Sequence, residues 1–457
     1  MSLNHNIFNT LVGFDELFKV KAELAESWNN PDNLTWRFRL RKDVKFHNGY
    51  DLTAEDIKYS IDLIKNDEGN VLRDLLISVN ETRVVDNLTV DIITHRPCPV
   101  MLNKLTDIFI VSKKYQEETN CKIPVGTGAY TFVESDQYNY TILERFDDYW
   151  KGRPDVKTVT FKTIENGSKR KNDLISKEID IAENILPYEY ENLTNFSDIS
   201  LYIVTHPTVV YLGFDFRENN SVAYGEQNNP LSDVRVRKAI YHAINISHII
   251  NKFFNDSAEP ASQFITEHLF GYNPNIIRLP YNLNLAKQYM KDAGYEEGFN
   301  ITFDAPLSSK AINISNEIAD QLSEINITLI PNYLPSTDYY LNLYFKNTSF
   351  YVTSINHFDA ETSLNLLLQT SNMQENEGIW NYGNYSNVNV DKLIEKLSYT
   401  METIERINII QEAFSIASYD VAWIPLYSSK VFYGVRDDIT WNPRPSLMLW
   451  VEEVYLD

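Results

Sequence analysis

The spacing of apolar positions changes twice along the chain, and each change marks a new kind of element. Residues 34–40, LTWRFRL, alternate apolar and polar side chains, the period of a strand with one face in a core. The turn NNPDN precedes this run. HNG at 47–49 follows it, where Gly49 is suited to positive φ. Thr53-Ala-Glu-Asp56 then carries a cap residue and an acid three positions on, the pattern of a helix start, with Thr53 as cap. Ile57, Ile61 and Ile64 follow on one helical face. The stretch from Arg83 to Thr94 reads as strand. VGTGAYTFVES (125–135) reads as a glycine-punctuated turn into another strand, with YNYTILERF (138–146) as its pairing partner. VKTVTFKTI (156–164) is a further strand, and KRKNDLISKEIDIAENI (169–185) is a helix followed by a short buried strand.

VVYLGFDF (209–216) is a nearly continuous apolar run of the kind buried on both faces, and the period changes again after it. LSDVRVRKAIYHAINISHIINKFF (231–254) predicts one long amphipathic helix capped by Ser232 or Asp233. LAKQYMKDAGY (285–295) predicts a helix stopped at Gly294. Strand NITFDAPL (300–307), helix SNEIADQLSEI (315–325) and strand NITLIPNYL (326–334) continue the alternation. RINIIQEAFSIAS (406–418) is a helix, and VAWIPLYSSKVFYGV (421–435) a strand able to return to the first lobe. Alternating strands and helices predict an α/β lobe with a largely parallel sheet.

The chain has 457 residues, which predicts two or three domains. A formal charge of −22 disfavours nucleic acid as a partner. With 29 Tyr and 7 Trp, aromatic side chains exceed the needs of a core and suit a binding cleft. No apolar run is long enough to span a membrane, and no signal-peptide pattern is visible at Met1. Cys98 and Cys121 can be bridged or free, and no CxxC pair exists.

Most catalytic signatures are missing. There is no GxSxG elbow, no GxxxxGK[ST] loop and no HExxH. GTGAYT has Thr131 where a dinucleotide loop needs its third glycine, and a strand follows rather than a helix. His242 and His248 are six positions apart on the predicted helix, roughly 240° around it, so they do not share a metal. No cofactor is implied.

Several segments together resemble one family. LAESW…LTWRFRLRKDVKFHNGYDLTAEDIKYSI, PVGTGAYTFVE, LERFDDYWKGRPDVKTVTFKTI, YLGFDF…PLSDVRVRKAIYHAIN, AKQYMKDAGYEEGF and AWIPLYSSKVFYGV are similar to the extracytoplasmic solute-binding proteins of the peptide/nickel class, family 5. These are the binding components of ABC importers. The resemblance implies an α/β, two-lobed periplasmic-binding-protein-like fold with a hinge and an extra subdomain in the first lobe. It places the first lobe at 1–209 plus 428–457, the inserted subdomain at about 25–140, and the second lobe at 210–427. It also implies a strand and an Asp-Pro segment ahead of the helix matching NHNIFNTLVGF, before Met1.

The resemblance carries over to the stretch TSINHFDAETSLNLLLQT (353–370). In the peptide-binding branch an Asp here pairs with the ligand's amino group, and this chain has Asn356 instead. A neutral amide accepts a hydrogen bond but does not neutralise an ammonium. In the nickel-binding branch an aromatic precedes the conserved acid, and Phe358 stands there. Tyr339 falls near a pocket tyrosine, Ser354 at a pocket tryptophan and Asn372 at a metal-contacting histidine, with Arg73 a candidate for a chelate-binding arginine. His357 and His5 are the candidate metal ligands, neutral imidazole being a good ligand for Ni²⁺. Asp359 reads as the cap of a helix carrying Leu364, Leu367 and Leu368.

The expected function is capture of nickel, as a small chelate, for delivery to a membrane ABC permease. Short peptides are the alternative cargo, and a receptor or enzyme reusing the fold is the alternative class. The expected protein is a monomer outside the cytoplasm, in the periplasm or at the cell surface and membrane-anchored, with no catalytic residues.

Overall fold

The computed structural model describes residues 2–16, 18–119, 123–136, 139–218, 229–255, 257–356, 359–374 and 377–457. It divides into two compact units. The first comprises 1–204, 398–401 and 431–457, and the second 205–397 and 402–430. No helix among the described residues is long and apolar enough to cross a membrane.

In the first unit a four-stranded antiparallel sheet runs in the order Ala25–Asp32, Thr35–Leu40, Thr89–Thr94, Val79–Asp86. The stretch expected as one strand from Arg83 is thus two, folded back at Asn87-Leu88. Trp36, Phe38 and Leu40 form one core with Ile57, Ile61 and Ile64 of the helix Ala54–Asn66. That helix starts as its sequence dictates. The Asp56 carboxylate accepts the Thr53 N–H at 2.9 Å and the Thr53 hydroxyl at 2.8 Å. A second, three-stranded antiparallel sheet takes Tyr130–Asp136, Tyr140–Arg145 and Thr158–Lys162. The glycines of GTGAYT permit close backbone approach. A Cβ on Gly126 or Gly128 would stand 2.1 Å and 2.4 Å from the carbonyl oxygens of Ile7 and Asn6. Cys98 is buried, with its Sγ 3.5 Å from Ser78 Oγ, and Cys121 lies outside the described residues.

The second unit is built on a mixed sheet. Phe299–Pro306 pairs in parallel with Ile327–Leu334 and with Phe350–Ile355. The latter pairs antiparallel with residues 209–214 of the long strand Ile199–Phe214. Leu212, Phe214, Ile301, Phe303 and Phe350 pack in one core with the helices on the sheet. The helix expected over 231–254 is two, Val234–Ala243 and Ile246–Phe253. Ile244 closes the first, its N–H donating to Tyr241 O, and Asn245 caps the second, its side chain accepting the His248 N–H at 3.0 Å. His242 and His248 therefore lie on different helices. His242 is buried and its Nδ1 contacts Pro280 O, while His248 is exposed beside Glu317.

Candidate functional site

The strand Phe350–Ile355 and the helix before it shape a cavity of about 620 Å³ within the second unit. Helical phase decides which tyrosines reach it. On the helix Ser336–Tyr344, Tyr340, Leu341 and Tyr344 line the cavity and are about half exposed, at 51%, 47% and 46%. Tyr339, one position earlier and about 100° around the helix, turns into the core instead. It is 1% exposed, and its hydroxyl donates to Val352 O, so it fixes the helix on the strand beneath the cavity and is not part of the lining.

The strand contributes Thr353, Ser354, Ile355 and the adjoining Asn356. Ser354 and Asn356 are exposed and two positions apart, so the pleat sets them on one face. Tyr211, opposite Thr353 on the neighbouring strand, reaches the cavity from below. Trp380 and Tyr382 close the other wall from a loop. The loop is held by backbone and amide bonds. Trp380 N–H donates to Leu366 O at 2.9 Å, and the Asn381 amide donates to Gln369 O at 2.9 Å and Tyr385 O at 2.7 Å. Behind this wall the rings continue inward. Tyr211 meets Phe264 edge to face at 4.8 Å, and Phe264 stacks on Trp423 at 3.8 Å. A Cβ on Gly213 would stand 2.1 Å from the Tyr351 ring, so glycine there is what lets Tyr351 lie over the strand.

Among the described residues no Asp, Glu, Lys, Arg or His lines the cavity. Tyr211 and Tyr382 stay protonated. Burial, with Tyr340 beside it, pushes Tyr382 up to about 12, and burial holds Tyr211 well above the ordinary phenol value. The wall therefore offers ring faces, hydroxyl donors and one amide. That set suits stacking and neutral hydrogen bonding rather than ion pairing.

Of the residues singled out from sequence, Ser354 and Asn356 come together here. His357 and Phe358 lie outside the described residues. Asp359 is the cap of the helix Ala360–Leu367, its carboxylate accepting Thr362 N–H at 2.7 Å and the Thr362 hydroxyl at 2.8 Å. His5 and Arg73 belong to the first unit. The His5 ring packs between Phe109 at 4.9 Å and Trp450 at 5.6 Å. Burial, reinforced by positive charge that includes Arg444 and Lys151, lowers its pKa to about 4. Arg73 is exposed on the turn Val71–Leu76, its Nε donating to Lys65 O at 3.2 Å. Asn372 pairs through its backbone with Glu377. Among the described residues no group of three His, Cys, Asp or Glu is placed to hold a metal ion. Tyr340, Tyr344, Trp380 and Tyr382 were not anticipated. The signals for them were the i, i+4 tyrosines of STDYYLNLY and the aromatic-glycine loop GIWNYGNY.

Comparisons with known proteins agree on one family. The model of bacterial extracellular solute-binding proteins, family 5 Middle, matches residues 19–375. The glutathione-binding protein GsiB of Salmonella paratyphi A is 26% identical over 451 residues, 95% of this chain and 86% of that protein. The structure of HbpA2 from Haemophilus parasuis superposes with a TM-score of 0.88 at 20% identity, covering 99% of this chain and 94% of that one. The structure of NikA from Staphylococcus aureus in complex with Ni(L-His)2 superposes at 0.74 with 20% identity, covering 100% of this chain and 96% of that one. These matches give the α/β chain the two-lobed periplasmic-binding-protein fold.

Proposed function

We propose that this chain, which belongs to the bacterial extracellular solute-binding proteins of family 5 and so to the substrate-binding components of ABC importers, captures a short peptide-like ligand for delivery to a membrane permease. The family is one of solute-binding proteins, not of enzymes. The observation that carries the reading is the neutral aromatic cavity of the second unit. Its volume, about 620 Å³, is in the range that encloses a small organic ligand. Tyr340, Tyr344, Trp380 and Tyr382 supply stacking surface, and Ser354 and Asn356 match the N–H and C=O groups of a peptide. GsiB, alike over nearly the whole chain, is named for glutathione, a peptide of that size.

Nickel as a chelate is the second reading. Its support is the His5 imidazole, which stays neutral above a pKa of about 4 and so is a competent donor at neutral pH, together with the likeness to the NikA complex. In this reading the cation arrives with most of its coordination already filled by the chelator.

A thermal-shift titration of metal-stripped protein separates the two. The arms are glutathione, a di- to pentapeptide pool, Ni²⁺ alone and Ni²⁺ with histidine. A ligand at 100 times its Kd adds about 2.7 kcal/mol. Stabilisation by glutathione or peptides supports the first reading. Stabilisation by nickel arms alone, lost in His5→Ala, replaces it with the second.

A further inference from the structure

Tyr211, Tyr339 and Tyr351 are buried around the strand Phe350–Ile355, at 3%, 1% and 4% exposed, and differ in what holds their hydroxyls. Tyr339 donates to Val352 O. The Tyr351 hydroxyl is met by the backbone of Gly383. Tyr211 has no equivalent contact. Among the described residues no group hydrogen-bonds its hydroxyl, while its ring is held edge to face on Phe264 at 4.8 Å.

The sheet explains the difference. Across the ladder Tyr211 faces Thr353 and Gly213 faces Tyr351, so these four positions share one face. Gly213 offers no side chain, and the Thr353 hydroxyl is bonded to Tyr339. The Tyr211 phenol instead has Tyr351, Tyr382 and Tyr340 as its neighbours. Tyr340 and Tyr382 line the cavity of the second unit, as Tyr211 itself does, so its hydroxyl is turned to that space. A buried hydroxyl left without a partner by the protein is an exception that calls for one from outside it.

The rest of the lining decides what that partner is. Tyr344 and Trp380 add ring faces, and Ser354 and Asn356 add neutral donors and acceptors. No formal charge stands among the described lining residues. An ammonium or carboxylate moved into the cavity would give up water with no opposite charge in return, whereas a peptide amide would find partners for both its N–H and its C=O.

We propose, resting on the reading that the cargo is peptide-like, that this cavity selects an uncharged stretch of peptide backbone, with the Tyr211 hydroxyl donating to one of its carbonyl oxygens, so that a peptide blocked at both ends binds at least as well as the free one. Tyr211 then sets specificity by touching the cargo. Asn356 sets it by withholding the carboxylate that a free amino group requires.

The test is calorimetric titration of the metal-stripped full chain with Ala-Tyr-Ala and with the same tripeptide acetylated at its N-terminus and amidated at its C-terminus. The expected result is saturable binding of both, the blocked form equal or tighter. Tyr211→Phe keeps the ring against Phe264 and should weaken the blocked form about three- to tenfold, the range of one neutral hydrogen bond, with Tm unchanged. Asn356→Asp places a carboxylate at the wall and should move the ratio at least tenfold in favour of the free form. Free peptide bound threefold or more tightly than blocked peptide by the parent chain would overturn the proposal and leave the peptide reading standing. So would Tyr211→Phe binding the blocked form as the parent does, or Asn356→Asp leaving the ratio where it was. Saturable binding of neither form would remove the peptide reading itself, and the proposal with it.

Discussion

Acid should weaken the first unit through His47, and the structure sets the sign and size of the effect. The His47 Nδ1 accepts the Gly126 N–H at 3.3 Å, and Nε2 stands 3.0 Å from Gly128 O. That arrangement uses a neutral ring with its proton on Nε2. A second proton on Nδ1 would set donor against donor. Burial lowers the pKa from 6.5 to about 4, with the bond to Gly128 opposing it. Because the folded value lies below the unfolded one, the stabilisation is complete above pH 6.5 and drains away as pH falls from 6.5 to 4. At pH 5 the unfolded chain holds nearly one more proton at this site, and the loss is about 2 kcal/mol. His47→Gln supplies an amide oxygen for Gly126 and an amide N–H for Gly128 at every pH. Urea unfolding at pH 7.5 and pH 5.0 should therefore show the variant losing about 2 kcal/mol less than the parent. His5 titrates in both proteins and cancels in that difference. Equal losses in parent and variant would refute the reasoning.

Other consequences are equally direct. The Glu361–Arg406 contact at 2.6 Å is 6% and 10% exposed, whereas Lys396–Glu405 at 2.7 Å is 57% and 50% exposed. Double-mutant cycles to Ala should give a coupling well above 1 kcal/mol for the first and about 0–1 kcal/mol for the second, with Glu361→Ala alone costing about 3–5 kcal/mol. Asp359→Ala removes the cap of Ala360–Leu367 and should cost about 1 kcal/mol in denaturant unfolding, while Asp359→Asn should recover most of it. Gly213→Ala drives a methyl into the Tyr351 ring and should cost about 1–3 kcal/mol while weakening ligand binding.

Much of the fold was legible because local chemistry and tertiary structure agree. The alternation of LTWRFRL and the Thr53–Asp56 pair demand a half-buried strand and a capped helix, and both form. The errors came where one polar residue overrides a continuous apolar pattern. The hydrophobic period runs unbroken through 231–254, but Asn245 competes for the backbone and restarts the helix. Asp86 does the same between two strands expected as one, its carboxylate accepting the Leu88 N–H at 2.9 Å. The site was only half readable. Ser354 and Asn356 were singled out through the family resemblance, and only the strand Phe350–Ile355, not expected from the sequence, sets them on one face. Tyr339 and Tyr340 are adjacent letters, and only helix packing tells which is core and which is wall. Trp380 and Tyr382 arrive from a distant loop whose path is set by the Asn381 amide, a contact with no local signature.

The central claim is that cargo is held against the neutral aromatic wall of the second unit. The most direct measurement is calorimetric titration of metal-stripped protein and its Trp380→Ala variant with glutathione and with a tripeptide pool. The account predicts a saturable heat with the parent protein and at least tenfold weaker binding in the variant, the loss of one stacking face being worth about 1.4 kcal/mol or more. No heat from either peptide ligand, with saturable heat from nickel and histidine that Trp380→Ala leaves unchanged, would contradict it.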